Sequence, residues 1–167
     1  MAFAAIVVAA GSGSRAGGDK QWRGVGDRPM VRWSVDALLT AGADSVVVVV
    51  APGAETRAAE VLAGLSGWRT VAGGAARADS VRAGLAALEV ADDTPVLIHD
   101  AARPFLNAAV IDRLLSALND ADGALPALPV ADSLRRGVEG LVVGGIDREG
   151  LWRAQTPQAF RLKTIRD

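Results

Sequence analysis

The chain alternates short, continuous apolar runs with segments in which apolar residues recur at helical spacing. Continuous apolar runs are typical of strands that are buried on both faces. Val31, Val35 and Leu38 illustrate the helical spacing. The predicted strands are Phe3–Val8, Ser45–Val50, Arg69–Ala72, Pro95–His99 and Gly123–Val130, and the predicted helices are Met30–Ala41, Glu55–Leu65, Asp79–Leu88 and Ala108–Leu118. This alternation predicts one α/β domain over residues 1–167, with helices on both faces of a mainly parallel sheet.

A different pattern interrupts the alternation between residues 133 and 146. Ser133–Val138 and Leu141–Ile146 flank the dipeptide Glu139-Gly140, and this arrangement predicts a β-hairpin with a tight turn. The apolar residues of its second strand have no neighbouring helix in the sequence to cover them. Such a face is often buried against a second subunit. A hairpin that folds back on its own domain is the alternative.

The composition is that of a globular domain with few charges to spare. Half of the 167 residues (50%) are hydrophobic and 22% are charged, with a net charge of −1 and no cysteine. The near-zero net charge gives no indication of a nucleic-acid or membrane surface. The lack of cysteine excludes a thiolate metal site and a cysteine nucleophile. We therefore expect a cytoplasmic protein that holds anions with a few placed cations and backbone amides.

A glycine-rich segment, residues 9–21, follows the first predicted strand. Its small residues let backbone amides approach a phosphate closely, and Arg15 and Lys20 add the charge that a polyphosphate needs. A plain strand-to-helix turn would require only one glycine. The segment also fits the Gly-x-Gly-x-x-Ala pattern of dinucleotide-binding domains, but those place an acidic residue after the second strand. Here that strand ends Val50-Ala51-Pro52-Gly53, so the segment favours another kind of phosphate site.

Asp100 and Arg103 follow a buried strand, at the edge where open α/β sheets bind ligands. These side chains are candidates for holding a hydroxyl and an anionic group. An ion pair that braces the turn before Pro104 is the alternative. His99 is the single histidine of the chain, and we interpret it as structural because the sequence pairs it with no nucleophile.

Two further segments are candidates for the walls of a ligand site. Gly73–Val81 places two glycines ahead of a helix, and Ser80 within it is suited to contact a base edge. A capped helix after a turn is the alternative. Leu151–Phe160 mixes polar and apolar residues as the lining of a cleft would, and a turn at Pro157 explains the same pattern.

Taken in order, these motifs resemble those of the 2-C-methyl-D-erythritol 4-phosphate cytidylyltransferase family. The specific ones are Gly-Gly-x-x-Arg-x-x-Ser-Val from Gly73, His-Asp-Ala-Ala-Arg-Pro from His99 and Gln-Thr-Pro-Gln from Gln155. The glycine-rich segment is shared with nucleotidyltransferases in general. The resemblance extends from Ala5 to about Phe160. It implies a Rossmann-like three-layer nucleotidyltransferase sheet with a protruding β-hairpin arm, and transfer of CMP from CTP to methylerythritol phosphate with release of pyrophosphate.

The resemblance also implies roles for individual residues, magnesium carried mainly by the CTP phosphates, and a homodimer formed through the 133–146 hairpin. No metal site built from protein ligands alone is expected. Some hairpin residues are expected to serve the partner's active site. Carried over by position, the catalytic residues are Arg15, Lys20 and Arg148, the nucleotide-binding residues are Ala9, Ala10, Gly11, Gly13, Gly74 and Ser80, and the residues that contact methylerythritol phosphate are Asp100, Arg103, Ser133 and Thr156.

Three departures from the family pattern affect these expectations. Asp19 stands where proline usually precedes the lysine, and Ser133 stands where threonine is common. The chain also stops at Asp167, before a C-terminal portion that in the family supplies a further lysine. We therefore expect a cytidylyltransferase domain that lacks its C-terminal portion, as a fragment or as part of a fusion with a zinc-dependent cyclase. A different sugar-phosphate nucleotidyltransferase and a non-catalytic nucleotide-binding module are the alternative functions.

Overall fold

The computed structural model describes residues 2–11 and 19–166. Strands and helices alternate through most of this length. None of the helices in these ranges is long and apolar enough to cross a membrane. In chain order the elements are β1 (Phe3–Ala9), a 3-10 helix (Lys20–Trp22), β2 (Gly24–Val25), β3 (Arg28–Pro29), α1 (Met30–Thr40), β4 (Ala43–Val50), α2 (Glu55–Val61), β5 (Trp68–Ala72), α3 (Arg77–Ala87), β6 (Pro95–Asp100), α4 (Ala108–Ala117), β7 (Gly123–Ala124), β8 (Ala127–Pro129), β9 (Leu134–Val138), β10 (Leu141–Ile146), β11 (Trp152–Ala154), β12 (Gln158–Arg161) and α5 (Leu162–Arg166).

The central sheet has six strands in the order β5-β4-β1-β6-β12-β7. The strand β1 pairs in parallel with β4 on one side and with β6 on the other. The strand β12 runs antiparallel to both of its neighbours, β6 and β7. The carboxyl ends of β1 and β6 therefore lie side by side, at the edge where open α/β sheets bind ligands.

Alternate residues of the central strands pack into two separate cores, one on each face of the sheet. In β1, Phe3, Ala5 and Val7 belong to the core that includes α1, α2 and α4. Ala4 and Ile6 belong to the core that includes α3 and α5. Because successive side chains of a strand point to opposite faces, a strand between two helical layers must be apolar throughout. The predicted three-layer α/β fold is confirmed.

Two sequence-based boundaries are wrong. The strand predicted over Gly123–Val130 is two short strands in different sheets, since β7 pairs with β12 and β8 pairs with β11. Pro126 lies between them, and proline cannot donate to a strand ladder. The helix predicted to reach Leu65 ends at Val61, and Gly64 then takes a φ of 84°, a left-handed conformation that is common after helix ends.

The segment Leu151–Phe160, interpreted from the sequence as the lining of a cleft, also supplies two strands. Its first half contributes β11, and its second half contributes most of β12. The strand β12 lies between β6 and β7 in the main sheet, and its Ala159 is fully buried. The polar residues Gln155 and Thr156 lie in the short connection between these strands. The sheet itself therefore fixes the position of both side chains.

The predicted hairpin is present as β9 and β10, which pair antiparallel with each other. Glu139 has a φ of 48° and Gly140 a φ of 81°, as a tight turn with two left-handed residues requires. Within the described ranges these two strands form a sheet of their own. Leu141 and Val142 are 71% and 69% exposed. The hairpin therefore presents an uncovered apolar surface.

Candidate active site

Two clefts near the carboxyl end of β6 contain most of the predicted site residues that the structure describes. The first cleft opens beyond the carboxyl ends of β1 and β6 and has a volume of about 480 Å³. Its walls are the end of β1, the 3-10 helix, the turn that leads into α3 and the end of β6. Arg15 and Gly13, also predicted for this site, lie outside the described residues. The predicted residues that line the cleft are Ala9, Ala10, Gly11, Lys20, Gly74, Ser80 and Asp100.

Lys20 supplies the positive charge on one wall of the first cleft. Its side chain is exposed, and it forms no ion pair with the residues that the structure describes. Asp19, the residue that departs from the family pattern, forms an ion pair with Arg57 at 3.2 Å. The guanidinium of Arg57 in turn lies 5.0 Å from the ring centre of Trp22. These contacts attach the segment around Lys20 to α2. A proline at position 19 could not form the ion pair with Arg57.

Gln21 connects the two ends of the glycine-rich segment. Its side chain is only 6% exposed, and its Nε2 donates to the carbonyl oxygens of Ala9 at 2.8 Å and Gly11 at 3.1 Å. The residue next to Lys20 is thus bonded to the end of β1. Gln21 was not predicted from the sequence, where its one signal is a polar residue between Lys20 and Trp22.

Two glycines allow the start of α3 to approach β1 closely. A Cβ on Gly73 would lie 2.6 Å from the Cβ of Ala10 and 2.7 Å from the Oγ of Ser80. A Cβ on Gly74 would lie 2.4 Å from the Cβ of Asp79. Real Cβ atoms do not come this close without a shift of the backbone. The double glycine is therefore a packing requirement of the first cleft.

Ser80 lies at the base of the first cleft and is 3% exposed. Its hydroxyl donates to the carbonyl oxygen of Ala76 at 3.2 Å. The backbone N–H of Ala76 donates a hydrogen bond to Oδ2 of Asp79 at 3.1 Å. Asp79 rather than Ser80 thus provides the side-chain cap of α3, and the capped-helix interpretation of this motif does not account for the serine.

Asp100 lies between two arginines at the end of β6. Arg77 donates to its Oδ1 from Nη2 at 3.0 Å and from Nε at 3.2 Å. Arg103 places its Nε 3.5 Å from Oδ2 and donates through Nη1 to the Oε1 of Gln155. Arg77 was missed by the sequence analysis, although it is the arginine of the Gly-Gly-x-x-Arg motif. The carboxylate therefore holds arginines from α3 and from the turn after β6 in one network.

The second cleft adjoins this network and has a volume of about 320 Å³. Arg103, Gln155 and Thr156 form part of its polar lining, while Phe105 and Pro126 belong to its apolar lining. Because Arg103 lines this cleft and contacts Asp100, which lines the first, the two clefts are neighbours. Of the substrate residues predicted from the sequence, Arg103 and Thr156 line the second cleft, and Asp100 contacts both from the neighbouring first cleft.

His99 is buried beneath the second cleft, with 1% of its surface exposed. Its Nε2 lies 3.0 Å from the carbonyl oxygen of Arg103, and its Nδ1 lies 3.1 Å from the Oγ1 of Thr156. Burial lowers the pKa of His99 from 6.5 to about 4, because the charged ring would lose its hydration. The imidazole is therefore neutral at physiological pH and joins two residues of the site.

Ser133 and Arg148 lie at the two ends of the hairpin, and neither lines the first or the second cleft. Both are exposed. Arg148 donates through Nη1 to the carbonyl oxygen of Ala131, which ties the two ends of the hairpin together. Within one chain the structure does not bring these two predicted residues to the other site residues.

The described residues contain no group of three or more histidine, aspartate or glutamate side chains placed to hold a metal ion. Asp100 is the carboxylate in the lining of the first cleft, and both of its oxygens face arginines. A divalent cation in this cleft would therefore rely mainly on oxygen atoms of a ligand.

A three-layer α/β sheet with a glycine-rich segment after its first strand, a lysine beside that segment and a neighbouring arginine-lined cleft is the arrangement expected of the nucleotidyltransferase class. The family model IspD: 2-C-methyl-D-erythritol 4-phosphate cytidylyltransferase matches residues 3–167. The chain belongs to this family, as its motifs predicted.

Curated relatives of two lengths resemble the chain. It is 56% identical over 168 residues to the bifunctional enzyme IspD/IspF of Caulobacter vibrioides, an alignment that covers 99% of this chain and 44% of the relative. It is 49% identical over 170 residues to 2-C-methyl-D-erythritol 4-phosphate cytidylyltransferase of Cereibacter sphaeroides, covering 99% of this chain and 75% of the relative. The chain thus spans less than half of the bifunctional relatives.

Solved structures share the fold over nearly the whole chain. The 2-C-methyl-D-erythritol 4-phosphate cytidylyltransferase of Thermus thermophilus matches with a TM-score of 0.79 and 33% identity, covering 99% of this chain and 73% of that one. The bifunctional IspDF of Campylobacter jejuni matches with a TM-score of 0.80 and 25% identity, covering 98% of this chain and 42% of that one.

Proposed function

We propose that this chain carries the cytidylyltransferase activity of its family, transferring CMP from CTP to 2-C-methyl-D-erythritol 4-phosphate. One observation carries the proposal: two neighbouring clefts are joined by the ion pair between Asp100, which lines the first, and Arg103, which lines the second. A transfer between two bound molecules needs this arrangement, because the reacting atoms must be held close together and in line. The first cleft has the chemistry for a nucleotide, and the second has the chemistry for a small phosphorylated polyol.

The nucleotide occupies the first cleft in this proposal. Backbone amides of Ala10, Gly11 and Gly74 are suited to phosphate and base contacts because no bulky side chain covers them. Lys20 lies on the wall of the same cleft and places its charge near the triphosphate. Arg15 is assigned the same role on the resemblance alone.

The polyol phosphate occupies the second cleft and reaches the first at Asp100. Arg103 and Thr156 supply polar contacts, and Asp100 is suited to accept hydrogen bonds from hydroxyl groups. The apolar part of the lining, with Phe105 and Pro126, accommodates the carbon skeleton of the substrate.

The reaction is a displacement at the α-phosphorus of CTP. An oxygen of the substrate phosphate forms a bond to that phosphorus, and the bond to the bridging oxygen of pyrophosphate breaks. The attacking oxygen is already anionic, so no general base is needed. Catalysis then consists of positioning and of stabilising the charge that develops on the α-phosphate, which we assign to Lys20 and Arg15.

Magnesium forms part of the proposal as a companion of the triphosphate. The cation binds phosphate oxygens readily and keeps several waters, which fits a cleft in which the carboxylate of Asp100 is occupied by arginines. When bound, it would supply additional neutralisation of the negative charge on the nucleotide.

A homodimer through the 133–146 hairpin accounts for the two residues that lie away from the clefts. The exposed apolar residues Leu141, Val142 and Val143 on β10 provide a surface suited to a second subunit. Ser133 and Arg148 at the base of the hairpin would then contact the substrate in the partner's second cleft. The cytoplasm, where CTP is available, is the proposed location.

Pyrophosphate release tests the activity. With Mg²⁺ and methylerythritol phosphate present, we expect turnover with CTP and little with ATP, GTP or UTP. Lys20→Ala should lower kcat by at least ~10²-fold, the usual effect of removing one transition-state donor. Lys163→Ala is the matched control, because Lys163 is the other lysine of the chain, is exposed and lies on α5. No CTP-dependent turnover by a folded protein, or an equal loss in both variants, would contradict the proposal.

A further inference from the structure

The direction of each hydrogen bond around His99 can be determined from the atoms involved. The carbonyl oxygen of Arg103 lies 3.0 Å from Nε2, and a carbonyl oxygen only accepts. Nε2 must therefore carry a hydrogen. A neutral imidazole carries one hydrogen, so Nδ1 is left without one and acts as an acceptor.

Thr156 meets the acceptor end of this ring. Its Oγ1 lies 3.1 Å from Nδ1 of His99, so the hydroxyl hydrogen of Thr156 points at the ring. The same Oγ1 accepts the backbone N–H of Asp100 at 3.2 Å. A hydroxyl offers one hydrogen and two lone pairs. The hydrogen and one lone pair of Thr156 are thus taken, and one lone pair is left.

The neutral state of the ring follows from its surroundings. His99 is 1% exposed, and burial lowers its pKa to about 4. The adjacent carboxylate of Asp100 favours the charged ring and the guanidinium of Arg103 opposes it. Asp100 is itself held by two arginines, so no negative charge near the ring is left without a partner. A proton on Nδ1 would also displace the hydrogen that Thr156 donates.

We propose that His99 is a positioning residue that makes the Thr156 hydroxyl a hydrogen-bond acceptor toward the second cleft. This inference deepens the proposed function and rests on it for the identity of the ligand. Thr156 lines the second cleft together with Arg103 and Gln155. An acceptor there selects a ligand group that donates, namely a hydroxyl of the polyol. It disfavours a phosphate oxygen, which is left to the arginine.

The tautomer of His99 is measured by nitrogen NMR on the untagged, ¹⁵N-labelled protein at pH 7. The single imidazole of this chain should show a protonated Nε2 and an unprotonated Nδ1. A His99→Asn variant identifies the signals by their loss. An Nδ1–H tautomer, or a charged ring, overturns the inference. Because this measurement needs no turnover, an inactive protein with the expected tautomer contradicts the proposed function alone.

Substrate kinetics test the acceptor role of Thr156. Thr156→Val keeps the shape and removes the hydroxyl, while Thr156→Ser keeps the hydroxyl and is the matched control. We expect Thr156→Val to raise KM for methylerythritol phosphate by about tenfold, the effect of one lost hydrogen bond. KM for CTP should not change, and Thr156→Ser should stay within about threefold of the wild type.

Fluorinated substrates separate acceptance from donation. Each hydroxyl of the polyol is replaced in turn by fluorine, which cannot donate. One analogue should raise KM about tenfold in the wild-type protein and cause no further loss in Thr156→Val. If no analogue loses affinity, or if the losses in Thr156→Val are as large as in the wild type, the inference is wrong.

Discussion

At the scale of single residues, the candidate site depends on buried side chains that hold its exposed residues in place. Gln21 joins the end of β1 to the 3-10 helix, and His99 joins Thr156 to Arg103. Both are buried polar residues with their hydrogen bonds satisfied. Such groups fix local geometry because leaving them unpaired costs about 1–3 kcal/mol. The chemistry of the exposed residues is thus set by the buried ones beside them.

Gln21→Leu should weaken catalysis through Lys20. Leucine fills the same space but donates nothing, so the carbonyls of Ala9 and Gly11 lose a partner. We expect a stability loss of about 1–3 kcal/mol and a fall in kcat of about tenfold or more, measured by urea unfolding and by pyrophosphate release.

The matched control for Gln21→Leu is Arg32→Met. Arg32 also donates two bonds to carbonyl oxygens, those of Val61 and Ala63 at 2.7 and 2.9 Å, but lies away from both clefts. This variant should lose stability while the folded fraction keeps its kcat. Equal kcat in the Gln21→Leu and wild-type proteins would show that Gln21 does not position the lysine.

Sequence motifs identified individual site residues, but they did not identify the residues that contact them in the folded chain. Asp100, Arg103 and Thr156 were assigned through motifs: Arg103 and Thr156 line the second cleft, and Asp100 contacts both of them from the first. Gln21 and Arg77 were missed because their roles depend on contacts with β1 and with Asp100 that no local spacing encodes. The pairing of His99 with Thr156 joins residues 57 positions apart, so only the folded chain places them together.

At the scale of elements, the prediction succeeded where one strand or helix has a single burial pattern. The largely buried β1 and β4 and the helices α1 and α4 appear where the apolar spacing placed them. It failed at β7, β8, β11 and β12, which are two to four residues long. Strands of that length hold too few residues to establish an alternating pattern.

The hairpin of β9 and β10 provides a test at this scale. If its apolar face joins two subunits, Val142→Asp should shift the protein from dimer to monomer, because a buried charge without a partner is strongly unfavourable. Analytical ultracentrifugation over a range of concentrations measures the shift. Glu139→Lys changes charge at the exposed turn and is the control.

Unfolding of the subunit is not expected to cause the shift in the hairpin test. Val142 is 69% exposed in the single chain, so its replacement should not unfold an isolated subunit. A wild-type protein that sediments as a monomer at all concentrations would contradict the dimer. A dimer that tolerates Val142→Asp would place the interface elsewhere.

At the scale of the whole molecule, one buried histidine couples global stability to pH. The unfolded chain protonates His99 below its ordinary pKa of 6.5, whereas the folded chain does so only near a pKa of about 4. Between these values the unfolded state binds more protons, so stability falls as the pH falls. At 1.36 kcal/mol per pKa unit, the contribution of His99 amounts to about 3 kcal/mol.

A comparison with His99→Asn isolates this contribution from that of the many carboxylates. The free energy of unfolding of both proteins is measured by urea titration at intervals from pH 7 to pH 4. The advantage of the wild-type protein should shrink by about 3 kcal/mol as the pH falls through this window. An advantage that does not vary with pH would mean that His99 titrates alike in both states.

The position of β12 has a consequence for synthesis on the ribosome. The four parallel strands β5, β4, β1 and β6 are complete once Asp100 has emerged, and a nascent chain that reaches Ala102 contains all of the described residues that line the first cleft. Thr156 arrives with the connection to β12, which must then pair with β6 across a separation of about sixty residues. If the first cleft holds the nucleotide as proposed, that half of the site is synthesised well before the residues that complete the half proposed for the acceptor molecule.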